Sequence, residues 1–226
     1  MVMLSSPDFW IGLFQIIGVN ILLSGDNAVV IALAARSLPG RHQMQAMIWG
    51  SAAAVVMLVI LTIFAVKLLM LPSLKIIGSG LLLWIAVKLL LPGDGGGRGI
   101  KGSEHLFTAI KTILIADLVM SLDNVLGVAA AAKGNITLLI LGLAISIPLI
   151  IFGSALILKL MQRFPVIITL GAALLGYIAG EMLVSDPLTN NWIDIHAHVL
   201  ILLAPIGGAF FVVVTSAWIK ATHRRA

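Results

Sequence analysis

The chain has 226 residues, of which 61% are hydrophobic and only 10% charged, with a mean hydropathy of +1.16. A soluble domain carries about 25% charged residues, so this composition excludes an ordinary water-soluble fold and points to an all-α integral membrane protein. Cysteine is absent, which excludes disulfides, thiolate metal sites and cysteine nucleophiles.

In chain order, the N-terminal "MVMLSSPDFW" lacks the basic stretch of a cleavable signal and carries Asp8, so the first apolar segment is expected to stay in the mature protein. A helix needs about 20 apolar residues to cross the hydrocarbon layer. Seven stretches qualify: Phe9–Ala35, Gln45–Leu69, Leu74–Leu90, Leu106–Ala132, Thr137–Leu160, Val166–Val184 and Ala197–Ile219. Turn residues separate them, in "SLPGRH", "MLPS", "LPGDGGGRGIKGSEH", "AKGN", "MQRFP" and "SDPLTNNWIDIH". The Gly-rich interruption nearly halves the chain. The expected division is a three-helix unit over 1–91, a cytoplasmic linker over 92–105 and a second unit over 106–186. An extracytoplasmic loop, the seventh helix and a basic tail then fill 187–226.

The two units repeat one another. "SGDNAVVIALAAR" from Ser24 aligns with "SLDNVLGVAAAAK" from Ser121, and "LPSLKIIGSGLLLWIAVKLL" from Leu71 with "FPVIITLGAALLGYIAGEML" from Phe164. Three crossings per unit is an odd number, so the second copy enters from the opposite side and the repeat is inverted, as in many secondary transporters. One side of the membrane would hold Arg36, Arg41, Lys88, Arg98, Lys101, Lys111, Lys159, Arg163, Lys220, Arg224 and Arg225, and the other only Lys67, Lys75 and Lys133. That excess places the first group in the cytoplasm, with the N-terminus outside and the C-terminus inside a plasma (inner) membrane.

Asp26, Asp117 and Asp123 fall well inside expected spans, where a charge costs at least ~2.5–3.5 kcal/mol. No Lys or Arg lies at comparable depth, which leaves protonation, water or a bound cation to offset the cost. On a helix, Asp117, Ser121 and Asn124 share one face, as do Asn20, Ser24 and Asn27. Each motif thus offers a carboxylate, an amide and a hydroxyl, and inverted symmetry would bring the two sets together near the midplane. Gly25 allows a loosened turn before Asp26, whereas Leu122 stands in its place in the second copy. Oxygen donors of this kind suit Mg²⁺, Ca²⁺ or Mn²⁺. Three carboxylates against one divalent ion leave a charge that a proton can neutralise. Met120 offers a soft sulfur, though packing is its simpler role. Glu181 is a candidate pathway residue or a snorkelling acid at the outer end of the sixth span. His196 and His198 are expected to begin the seventh. Buried Asp and Asn can instead serve only to tie helices together.

In these twin motifs and the seven-span layout, the sequence resembles the TerC family of integral membrane proteins, and its length and Gly-rich centre resemble the short YjbE-type branch. The resemblance extends over nearly the whole chain. It implies export of manganese and an association with tellurium-resistance operons, and it places Asp26, Asn27, Asp123 and Asn124 in the ion pathway. Asp117 matches less closely, because its repeat mate is Asn20.

The expected function is a secondary transporter exporting a divalent cation, Mn²⁺ ahead of Ca²⁺ or Mg²⁺, with proton exchange as the natural coupling. No enzymatic activity and no tightly bound cofactor are expected. The partners are the bilayer and the cation, with no nucleic acid and a homodimer left open. An intramembrane aspartyl protease would want a GxGD signature, but the contexts here are "SGDN" and "SLDN". An amino-acid exporter would want a cation at the midplane, which is lacking. A non-transporting membrane partner, serving metallation or tellurite resistance, remains the alternative.

Overall fold

Helices that are apolar all round must bury every face in protein or in lipid. The computed structural model describes residues 7–68, 73–91, 102–132 and 135–223. Among them the helices are α1 (Pro7–Leu23), α2 (Gly25–Ala35), α3 (Gly40–Leu68), α4 (Leu74–Leu90), α5 (Gly102–Ala132), α6 (Ile136–Arg163), α7 (Val166–Val184), α8 (Pro187–His196) and α9 (Leu200–His223). No strand occurs among the described residues. Small and branched residues such as Ala32, Ile113, Leu143 and Ala172 fill the interior, while Leu22, Phe152 and Phe210 point outward. That is the inside-out distribution of a bundle solvated by lipid.

Five helices are long and apolar enough to cross a membrane, and α1 with α2 makes a sixth if their bent pair is one span. The third expected stretch, Leu74–Leu90, is α4, whose 17 residues lie at the short end of the spanning range of about 17–25. Several helices outrun their apolar stretches, because hydropathy marks hydrocarbon and not the end of hydrogen bonding. Thus α5 begins at Gly102, inside the expected linker, whose remainder over 92–101 lies outside the described residues. Residues 133–134 and 224–226 lie outside them too. The expected connection "SDPLTNNWIDIH" contains a helix, α8. Asp186 caps it by accepting from the Leu188 amide at 2.9 Å, and Pro187 begins it. His196 consequently closes α8, His198 lies in the link, and α9 starts only at Leu200.

The helices pack crosswise between the two sequence units. Ile16 of α1 seats against Gly142 of α6, and Ile113 of α5 seats against Gly50 of α3. Ile16 and Ile113 stand the same number of residues ahead of Ser24 and Ser121. Likewise Gly78 of α4 receives Val119 of α5, while its counterpart Gly171 of α7 receives Val29 and Leu33 of α2. Helices α4 and α7 also pack on each other. The closest approach is between α7 and α9, where Gly176 meets the Gly208 backbone and Gly180 meets the backbone of Ala204 and Pro205. Small residues four apart let membrane helices approach this closely.

Helix α4 is held at both ends by ionisable side chains from other elements. Asp186, fully buried, accepts from the amides of Ser73 (3.3 Å), Lys75 (3.1 Å) and Ile76 (3.4 Å) at its N-terminus. These bonds help fix Ser73 in a left-handed conformation, φ 70°. At the other end Arg36, just past α2, donates to the carbonyls of Leu89 (2.7 Å) and Leu91 (3.3 Å). Burial lowers the Arg36 pKa, yet guanidinium stays charged in proteins. An anion at the N-terminus and a cation at the C-terminus both complement the helix dipole.

Two outcomes follow. Gly180→Leu or Gly208→Val drives side-chain atoms into a facing backbone carbonyl that cannot rotate away, at a cost of about 3 kcal/mol or more. Thermal unfolding in detergent should show a clearly lowered midpoint, and an unchanged one would contradict the close α7–α9 contact. Asp186→Ala orphans amides of both α4 and α8 and is expected to destabilise by about 3 kcal/mol, whereas Asp186→Asn, which keeps an acceptor, should fall between the two.

Candidate functional site

The first motif sits on a broken helix. Helices α1 and α2 meet at 52°, with Ser24 between them at φ −108°, ψ 7°. The Asn27 amide, which an unbroken helix would commit to the carbonyl four residues back, donates to Asp26 Oδ1 at 2.8 Å. Gly25, with no side chain to hinder the bend, follows immediately. In the second motif α5 continues without a break through Ser121 and Leu122. The asymmetry allowed by Gly25 against Leu122 is therefore present.

Beside the break lies a cavity of about 10 Å³ of space for a water-sized centre, lined by Asn20, Ser24 and Asn27 from the first motif, Ser51 of α3 and Asp117 of α5. Apolar walls come from Ile31, Val55, Leu58 and Ile150. A space of that size holds about one water or one small ion. The polar lining is deeply buried, with Asp117 only 7% exposed. Ser24 Oγ donates to Asn20 Oδ1 at 3.2 Å, and Ser121 Oγ to Asp117 Oδ2 at 3.4 Å, so the same hydroxyl-to-acceptor link recurs one turn apart in both motifs. Asn20 Nδ2, Asn27 Oδ1 and Ser51 Oγ are buried with no hydrogen-bond partner in the protein. Asp26 is half-buried and near enough to Asp117 for the two carboxylates to interact electrostatically. None of the described residues that line the cavity is basic.

The sequence-selected residues do not all converge. Asn20, Ser24, Asn27 and Asp117 share the cavity, Asp26 adjoins it, and Ser121 reaches it through Asp117. Asn124 is half-buried on α5 and is not among the lining residues. The side chain of Asp123 lies outside what the structure describes. Among the described side chains, three lining ones come from the first motif and Asp117 from the second. Among the described residues no three of His, Asp and Glu converge, so the converging donors are carboxylate, amide and hydroxyl. Met120 is buried in the apolar core beside Ala116 and Val119, which is a packing role. Glu181 is exposed and borders a separate groove with Tyr177, Asn190 and His198. Ser51 was missed in sequence. Its only signal was a single hydroxyl in the otherwise apolar "GSAAAVV" run.

A multi-helix bundle with a lipid-type surface, a broken helix and a buried acidic cavity defines an integral, multi-pass membrane protein with an ionisable core. The sequence profile of the Integral membrane protein TerC family matches residues 5–224, and the chain belongs to that family. It is 42% identical over 217 residues to the Uncharacterized membrane protein YjbE of Bacillus subtilis (strain 168), covering 96% of this chain and 99% of that one. It is 23% identical over 188 residues to the Uncharacterized membrane protein YceF of the same organism, covering 79% of this chain and 73% of that one. No solved structure matches the chain.

Because Ser51 Oγ is an orphaned buried hydroxyl, Ser51→Ala removes a desolvated polar group worth about 1–3 kcal/mol without adding bulk. Ser51→Ala should unfold at the same temperature as the parent or higher, measured in detergent without added metal. A marked loss of stability would mean that the hydroxyl has a structural partner.

Proposed function

We propose that the protein is a secondary transporter that exports a divalent metal cation, with Mn²⁺ as the preferred cargo, through the cavity at the α1–α2 break. The observation that carries this reading is the set of unpartnered buried polar atoms, Asn27 Oδ1, Ser51 Oγ and Asn20 Nδ2, that surround a one-ligand space beside Asp117. Unsatisfied polar groups in a nonpolar interior cost roughly 1–3 kcal/mol each, and a bound ion with its water offsets that cost. Hard oxygen donors without Cys or His favour Mn²⁺, Mg²⁺ or Ca²⁺. The family resemblance in the twin motifs ranks manganese first.

The chemistry assigns separate roles. Asp117 and Asp26 supply negative charge, Asn27 and Ser51 supply neutral oxygens, and Asn20 and Ser24 hold each other in place on α1. Asp123 and Asn124 are assigned to the same pathway from the second motif. The orphaned carbonyls at the C-terminal end of α1 are further oxygen ligands, the usual contribution of a discontinuous membrane helix. When the ion leaves, protons on Asp117 and Asp26 replace its two charges, which makes the cycle an exchange of one cation for two protons.

Movement is assigned to two inverted three-helix units, α1–α4 and α5–α7, with α9 as an added seventh span. The crosswise seating of Ile16 on Gly142 and Ile113 on Gly50 supports that division, since an inverted repeat makes equivalent residues contact the opposite unit. Rocking of one unit against the other opens the cavity to the cytoplasm and then to the outside, with the N-terminus outside and the C-terminus cytoplasmic. The competing reading, a structural hydrogen-bonding core in a non-transporting partner protein, gains nothing from the bonds of Ser24, Asn27 and Ser121. Ser24 to Asn20, Asn27 to Asp26 and Ser121 to Asp117 all stay within one helix or across its break, so they do not tie the units together.

Mn²⁺ flux into proteoliposomes tests the proposal. Saturable flux is expected, accelerated by acid on the destination side and reduced at least tenfold by Asp117→Asn or Asp26→Asn in variants with parental melting behaviour. Flux no greater than in empty vesicles, with Ca²⁺ and Mg²⁺ also tried and either pH gradient imposed, would overturn it in favour of the partner-protein reading.

A further inference from the structure

We propose that α8 is a membrane-surface helix, seated in the lipid interface between α7 and α9 with one face in the acyl-chain boundary. Its ten residues divide around the helix axis into three faces at the α-helical period of 100° per residue. Leu188, Trp192 and Ile195, spaced four and three apart, form one stripe and are 57%, 58% and 77% exposed. Thr189 and Ile193, also four apart, form a second face toward the protein: Ile193 is buried, and Thr189 Oγ1 donates to the Leu183 carbonyl of α7 at 2.8 Å. Asn191 and Asp194 form the third, polar and exposed. A helix docked only on protein would need one apolar face, not two opposed to a polar edge.

The occupant of the exposed stripe follows from what it adjoins. Val199 and Leu202, 66% and 65% exposed, carry the apolar surface from the link into α9, whose other large exposed side chains face the bilayer as a spanning helix must. The stripe ends at Ile195, four residues along the chain from Val199, and it carries a Trp, the residue enriched at the ends of membrane spans. Trp192 stacks on His196 with ring centroids 5.4 Å apart, which gives an aromatic pair with an apolar body and a polar edge. Lys and Arg are absent from α8, so its attraction to the surface is hydrophobic and independent of anionic lipid.

This seating has a consequence inside the bundle. The Asp186 carboxylate that caps α8 also accepts from the Ser73, Lys75 and Ile76 amides of α4. One buried side chain therefore links the lipid surface to the start of α4, so the depth of α8 fixes the height of α4 in the membrane. Neither the seating nor the linkage depends on what the protein transports.

The chain has no Cys, so single cysteines can be introduced without background. Spin labels at Leu188→Cys, Trp192→Cys, Ile195→Cys, Asn191→Cys, Asp194→Cys and Ile193→Cys, in the full-length protein in zwitterionic phosphatidylcholine liposomes, are relaxed with oxygen and with a water-soluble nickel chelate. At 188, 192 and 195 the oxygen-to-nickel accessibility ratio is expected to be several-fold higher than at 191 and 194, with 193 shielded from both. Nickel access at 188, 192 and 195 equal to that at 191 and 194 would place α8 in water and overturn the proposal. Exclusion of both reagents from the stripe would show a protein partner over it and overturn the proposal equally.

Discussion

Every polar group in a membrane protein's interior must find a partner inside the protein, because lipid supplies none. That requirement accounts for much of this architecture. Asp186 is tolerated fully buried because four backbone amides donate to it, and Arg36 because carbonyls at the end of α4 receive it. Both belong to helix termini, where orphan groups exist in any case. The cavity beside the α1–α2 break departs from that rule at several atoms. There a carboxylate, an amide oxygen and a hydroxyl are gathered without enough protein partners.

The break sets the electrostatics of that cavity in two opposing ways. The α2 N-terminus carries a partial positive charge that favours the Asp26 carboxylate and disfavours a cation, an effect of about 0.3–2 kcal/mol. Against it stand the α1 C-terminus, of opposite sign, and the carboxylates themselves. A single charge pair at 4 Å contributes roughly 4 kcal/mol at an effective dielectric constant of 20. On these magnitudes the carboxylates outweigh the helix N-terminus, which is why the proposed cargo is a cation. The unbroken α5 bears Asp117, so a broken helix and a continuous one share the cavity wall.

How much of this was legible in the sequence depended on whether the signal was local. The apolar stretches Leu74–Leu90 and Val166–Val184 coincide with α4 and α7, because Pro and polar residues bound them closely. Gly25 marked the break, and the spacing of Asn20, Ser24 and Asn27 marked the cavity wall. Other features required the fold. Ser51 joins the cavity only because α3 packs against α5. Arg36 read as a topology signal, and its role as the α4 cap depends on the carbonyls of Leu89 and Leu91, far away in sequence. Helix α8 was hidden by its polar residues, since hydropathy registers spans and overlooks a short helix that is apolar on one side.

The central claim is that one cation occupies the space between Asn27, Ser51 and Asp117. Crystals grown in Mn²⁺ and measured on either side of the manganese absorption edge test this most directly. The account predicts a single strong anomalous peak within coordination distance of the Asp117 carboxylate and the Asn27 side-chain oxygen, absent from crystals of Asp117→Asn. Well-ordered density for these side chains with no anomalous peak among them, or with water alone at saturating Mn²⁺, would contradict it.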